Sequence, residues 1–151
     1  RQHMKPSQHT VISAVTSGIF FAGTHSWPAT IACFLSGIFI DIDHHLDFFL
    51  NKGRFPWKYS DLWSFCAEEK HGRFFLIFHS YELFALAWFA VLYFHLDIVW
   101  FGLLVGMTVH MIADQTVNPA SPFAYFFTYR LKHNFEKKWV FDREFYKSLK
   151  K

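Results

Sequence analysis

Four apolar runs leave this chain few ways to fold. They cover roughly residues 11–23 (VISAVTSGIFFAG), 29–40 (ATIACFLSGIFI), 74–94 (FFLIFHSYELFALAWFAVLYF) and 98–113 (IVWFGLLVGMTVHMIA). The third has spanning length, which takes about 20 apolar residues; the first two fall short and also suit buried or re-entrant helices. A soluble domain must keep much of its surface in water. Here 52% of the 151 residues are hydrophobic, 22% are aromatic and 21 are Phe, which is more than such a domain hides easily. These proportions predict an all-α, polytopic membrane protein with about four transmembrane helices in an antiparallel bundle. Gly18, Ser36, Gly37, Gly102 and Gly106 are small residues of the kind that let membrane helices approach closely.

Charge orients the bundle. Lys5, the 51–73 connection (Lys52, Arg54, Lys58, Lys70 and Arg73) and the tail are basic, whereas the turns at 24–28 and 95–97 hold no Lys or Arg. Four spans with both termini cytoplasmic satisfy the positive-inside rule at every loop. "HLD" (95–97) is short enough to demand a hairpin, and Pro28 in "THSWP" suits a helix first turn. "NPASP" (118–122) is a helix stop. Beyond it, eight Lys/Arg against three acids from Arg130 onward, interleaved with Phe126, Phe135, Trp139, Phe141 and Phe145, predict a basic amphipathic segment on an anionic membrane surface. Residues 1–3 are read as a cloning scar, 4–122 as the membrane-embedded domain and 123–151 as the interfacial tail. The first apolar run shows no convincing cleavage site for a signal peptide, and Cys33 with Cys66 implies no disulfide framework.

Ionisable residues interrupt this apolar chain in a pattern. Within the expected topology His9, the stretch DIDHHLD (Asp41 to Asp47), His71, His79, Glu82, His110 and Asp114 all collect at the cytoplasmic end, while His25 and His95 fall at the other. His110 and Asp114 are i, i+4 on one helical face, and His79 with Glu82 are i, i+3. His71, Phe75 and His79 extend that stripe on a third helix. Ionisable groups at membrane depth are costly unless paired, solvated or metal-bound. Each element has a plain reading by itself: a buried hydrogen-bonded pair, a helix-surface pair, a solvated helix end. Their convergence favours a metal site. Mixed imidazole and carboxylate donors suit zinc, with manganese or iron as alternatives, and so many donors favour two or more ions. Asp41 and Asp43 diverge on a continuous helix, so a break or bend is expected at Ile42. One of the adjacent imidazoles His44 and His45 is expected to be a ligand, the other to face outward.

The ordered motifs "H…DIDHH…HGRFFLIFHS…HMIAD" resemble those of the small bacterial membrane-bound metal-dependent hydrolases (the LexA-binding, inner-membrane-associated group) over His9 to about Pro119. That group carries an early His, a "PDxDH", an "HRG…HS" and an "HxxxD". Here Ile40 stands where the proline is usual, and "HGR" replaces "HRG". The resemblance implicates His9, Asp41, Asp43, His44, His71, His79, His110 and Asp114 as metal ligands; Glu82 is added from spacing alone. It also implies a more distant similarity to zinc-dependent phospholipase C and P1 nuclease. The expected function is therefore a metal-dependent hydrolase of the bacterial inner membrane, cleaving a phosphoester of a lipid or isoprenoid phosphate. Asp43 and Glu82 are the candidate catalytic carboxylates and Arg73 the phosphate-holding cation. Membrane lipid is the expected partner, and nucleic acid is not. The alternatives are a metal transporter or sensor using the same donors, and a non-catalytic partner-binding membrane protein.

Overall fold

The computed structural model describes residues 4–67, 72–118 and 120–140. Eight helices form among them: α1 (Pro6–Thr24), α2 (Trp27–Phe39), α3 (Ile42–Lys52), α4 (Tyr59–Ala67), α5 (Tyr81–Tyr93), α6 (Ile98–Val117), α7 (Phe127–Lys132) and α8 (Lys137–Val140). No strand is present among the described residues beyond an isolated bridge between Arg73 and Glu136. The chain divides into two compact units, one built from residues up to Ile40 with Glu82–Asn118, the other from Asp41–Tyr81 with the chain after Asn118. The described tail packs with residues 41–81 through Tyr81 N–H to Tyr125 C=O (2.9 Å) and Phe74 N–H to Phe135 C=O (2.8 Å).

The first unit is a helical bundle in which α2 packs on both α1 and α6. Its turns follow the sequence: Pro6 opens α1, Ser26 caps α2, and the Asp97 carboxylate caps α6 by accepting from Val99 N–H (2.9 Å). The hairpin at 94–97 returns α6 along α5, where the Trp88 indole donates to Thr108 Oγ1 (3.0 Å). The buried positions repeat every four residues. They include His9, Ser13 and Ser17 on α1, Ala29, Cys33 and Gly37 on α2, and Gly102, Gly106, His110 and Asp114 on α6, where Leu104 and Met111 are buried as well. The outward stripes are instead aliphatic, with Val11, Val15 and Ile19 exposed on α1 and Ile31, Leu35 and Phe39 on α2. Such a bundle is small and polar inside and greasy outside, the reverse of a water-soluble one.

Close approach of α2 and α6 depends on glycine. A Cβ at Gly102 would collide with the Ala29 carbonyl, and one at Gly106 with the Cys33 carbonyl. The Ser36 hydroxyl then reaches across to the Leu103 carbonyl (2.8 Å). Gly106→Val is expected to force these helices apart at a cost of about 1–3 kcal/mol or more. Thermal unfolding in detergent should register this as a lower midpoint, and an unchanged midpoint would refute the close packing.

Two stretches are long and apolar enough to cross a bilayer, Trp27–Lys52 and Ile98–Val117, with Tyr81–Tyr93 a shorter apolar helix. Four spans were expected, and two stretches among the described residues meet this criterion of length and composition. The difference is clearest in the third run, whose helix begins only at Tyr81. Residues 74–80 are irregular because side chains from elsewhere in the second unit take their backbone groups. Asp47 Oδ1 accepts from Phe75 N–H (3.0 Å), and Asp43 Oδ2 accepts from Phe78 N–H and His79 N–H. The Arg130 guanidinium donates to the carbonyls of Leu76 (2.8 Å), His79 (2.9 Å) and Ala124 (2.8 Å).

The tail's described part also departs from expectation. Two of its cations turn inward: Arg130 is 1% exposed, and Lys137 is fully buried. The Lys137 ammonium donates to the Phe65 carbonyl and lies 3.4 Å from the Phe65 ring centroid and 4.2 Å from that of Phe74. These aromatic faces partly replace its lost hydration. Lys132 and Lys138 stay exposed, as the expectation had it, whereas Phe141, Phe145 and the cations after residue 140 lie outside the described residues.

Candidate metal centres

Each unit gathers its own group of imidazoles around a carboxylate. In the bundle, His9 near the start of α1 meets His110 and Asp114 in the last turns of α6. The His9 and His110 rings stack with centroids 3.9 Å apart and planes 11° apart. His9 Nε2 lies 3.2 Å from Asp114 Oδ1, and His110 Nε2 lies 3.4 Å from Asp114 Oδ2. All three residues are buried. His110 Nδ1 sits 2.7 Å from the Gly37 carbonyl. A carbonyl only accepts, so Nδ1 carries the proton and Nε2 keeps its lone pair unless the ring is cationic.

In the second unit the group is Asp41, His44 and His79. Asp41 follows α2 in a tight turn and makes no capping bond with its side chain. Its Oδ1 lies 3.7 Å from His79 Nε2 and 3.8 Å from His44 Nε2. Asp43, in the first turn of α3, approaches the same His79 ring from the other side, with Oδ2 3.2 Å from Nδ1. The carboxylate that accepts His79 N–H thus also accepts the ring proton, which directs Nε2 toward Asp41. This is the carboxylate–histidine arrangement that orients metal-bound imidazoles. His44 is half-buried and His45 exposed.

The donors in each group lie within 4.8 Å of one another. Donors held about 2.0–2.1 Å from a tetrahedral ion stand about 3.3 Å apart. The 3.2 and 3.4 Å separations around Asp114 fit that spacing, and those around Asp41 are somewhat wider. Mixed nitrogen and oxygen donors suit zinc, manganese or iron better than calcium or magnesium. Thiolate ligation is not part of either group: Cys33 and Cys66 are free, and burial pushes the Cys66 thiol up to about 12.

The structure places the expected residues unequally. His9, His110 and Asp114 come together, as do Asp41, His44 and His79. Asp43 is outside the donor group and sits beside His79, where its Oδ2 accepts from the N–H groups of Phe78 and His79. Glu82 is half-buried in α5 and belongs to neither group. The helical stripe through His71, Phe75 and His79, and the i, i+3 face of His79 and Glu82, do not form, since 74–80 is not helical. His71 itself lies outside the described residues. The Arg73 side chain is exposed, and its backbone pairs with the Asn51 amide (2.8 Å each way). The helix break expected at Ile42 falls just before it, at Ile40–Asp41.

Sequence reasoning missed Asp47 and Arg130, both buried and both holding the segment that carries His79. A signal was present for Asp47, which is i, i+4 from Asp43 on the buried face of α3. Arg130 had none, because its partners are backbone carbonyls distant in the chain. No family model, curated protein or solved structure matches this chain.

Proposed function

We propose that the chain is a membrane-embedded, metal-dependent hydrolase acting on the phosphoester of a lipid or isoprenoid phosphate. The observation carrying this reading is the presence of buried His/Asp donor groups in a chain whose bundle helices expose aliphatic stripes. Burying imidazoles and carboxylates is costly unless they are paired, hydrogen-bonded or metal-bound, and their grouping favours the metal. The motif resemblance supports the same reading, with a bacterial inner membrane as the proposed location. Bound divalent metal would supply charge neutralisation on a phosphoryl oxygen and a water of lowered pKa. The chain's own residues do the rest. Asp43 fixes the tautomer of His79, the Gly37 carbonyl fixes that of His110, and the apolar shell limits water to what the reaction uses. Asp41, half-buried, is the carboxylate best placed to move a proton.

The test is release of phosphate or headgroup from a broad panel of lipid phosphates by purified protein loaded with zinc, manganese or iron. Activity should vanish on chelation and return with metal. A fully loaded protein that releases nothing from the panel would sink the phosphoester claim, and metal flux in proteoliposomes would instead support a transporter.

A further inference from the structure

Helix α3 is amphipathic in the wrong sense for water. Its buried face carries Asp43, Asp47 and Phe48. Its exposed face carries Ile42, Leu46, Phe49 and Leu50, with Ile42 57% and Leu50 51% exposed, and one polar residue, His45, among them. A helix in water turns its carboxylates out and its aliphatics in; the opposite arrangement indicates an apolar medium outside. Beyond Lys52 the chain turns at Gly53, whose left-handed backbone (φ 67°) ends the helix. The following loop exposes Phe55 and then Trp57, which is 88% exposed. Phe55 stacks on Phe49 (4.8 Å) and so continues the apolar face of α3 into the loop. Three cations, Lys52, Arg54 and Lys58, are exposed in the same stretch. Asp61 is the nearby acid, and it already faces Arg54 at 3.7 Å.

From aliphatic helix face to aromatic loop to cations, this order follows the layers of one bilayer leaflet: acyl chains, interface, phosphates. We propose that the outward face of α3 and the 52–59 loop form a surface for anionic phospholipid, with the α3 stripe in the acyl region and the cations at the phosphates. Nucleic acid or an acidic protein would match the charges but leave the largely apolar outer face of α3 in water. The inference rests on the membrane location in the proposed function, not on catalysis or metal.

The full chain is reconstituted in lipid discs of phosphatidylcholine with or without phosphatidylglycerol, with acyl chains brominated near the headgroup. Difference spectra against Trp57→Phe isolate the Trp57 emission, and Trp100→Phe isolates an exposed tryptophan of α6 as reference. Trp57 emission should be quenched by bromine and shifted to the blue, more so with phosphatidylglycerol. That added shift should be lost in the Lys52→Gln, Arg54→Gln, Lys58→Gln triple variant. A Trp57 that stays open to aqueous iodide in both lipids while Trp100 is quenched by bromine would overturn the inference alone. Shielding of Trp57 only by added RNA or acidic protein would overturn it in favour of those partners. If neither tryptophan is quenched by bromine, the membrane location fails and the inference with it.

Discussion

His79→Ala and His110→Ala are each expected to lower the divalent metal content of the purified protein. The two donor groups share no imidazole: His44 and His79 serve one, His9 and His110 the other. Elemental analysis of purified protein checks this, with cobalt substitution to read coordination from the visible spectrum. Asp43→Asn tests the supporting layer. It keeps the shape but weakens acceptance of the His79 ring proton, and removal of such a partner lowers metal affinity about 10–100-fold. Loss of the imidazole itself should cost more, and hydrolysis of lipid phosphate should fall with it. If metal content is indifferent to all three substitutions, the clusters are hydrogen-bonded pairs that stabilise the units, and the hydrolase reading fails.

Arg130→Met is expected to destabilise the second unit by roughly 3–5 kcal/mol. The side chain is buried, and its fork serves three carbonyls that no water replaces once the apolar thioether fills the space. Each carbonyl left unsatisfied costs about 1–3 kcal/mol, and partial relaxation of the loop keeps the total below the sum. Arg130→Lys should recover only part of the loss, because a single ammonium cannot reproduce the planar fork. Thermal unfolding in detergent reads the global effect. Limited proteolysis within 72–80 reads the local one, since this is the segment the guanidinium fastens. A Met variant that melts like the native protein and resists cleavage equally would show that Arg130 is not what holds the irregular segment. The buried Lys137 acts on the same stretch from its other end, where Lys137 N–H donates to the Gly72 carbonyl (3.1 Å).

Three of the four apolar runs announce their helices correctly. In α1, α2 and α6 the buried positions recur at four-residue spacing, and the turn residues Pro6, Ser26, Pro28 and Asp97 stand where helix starts need them. The pairing of His110 with Asp114 was legible for the same reason, because an i, i+4 spacing on a real helix puts both on one face. The third run misled. An unbroken apolar stretch reads as a continuous helix, yet FFLIFHS gives its backbone to Asp43, Asp47 and Arg130. No local pattern reveals that competition. Nor is α4 announced inside the 51–73 connection, where aromatic residues mask a short helix.

The sequence alone was sufficient for the all-helical architecture, the small-residue seams of the bundle, and the residue types from which metal groups are drawn. These are local properties: periodicity, capping and composition act between residues a turn or two apart. The tertiary structure decided that the donors form one group in each unit, that Asp43 orients His79, and that Arg130 and Lys137 are buried rather than spread on a surface. Each of those outcomes depends on hydrogen bonds between groups far apart in the chain, whose strength comes from burial, and burial exists only once the chain has folded.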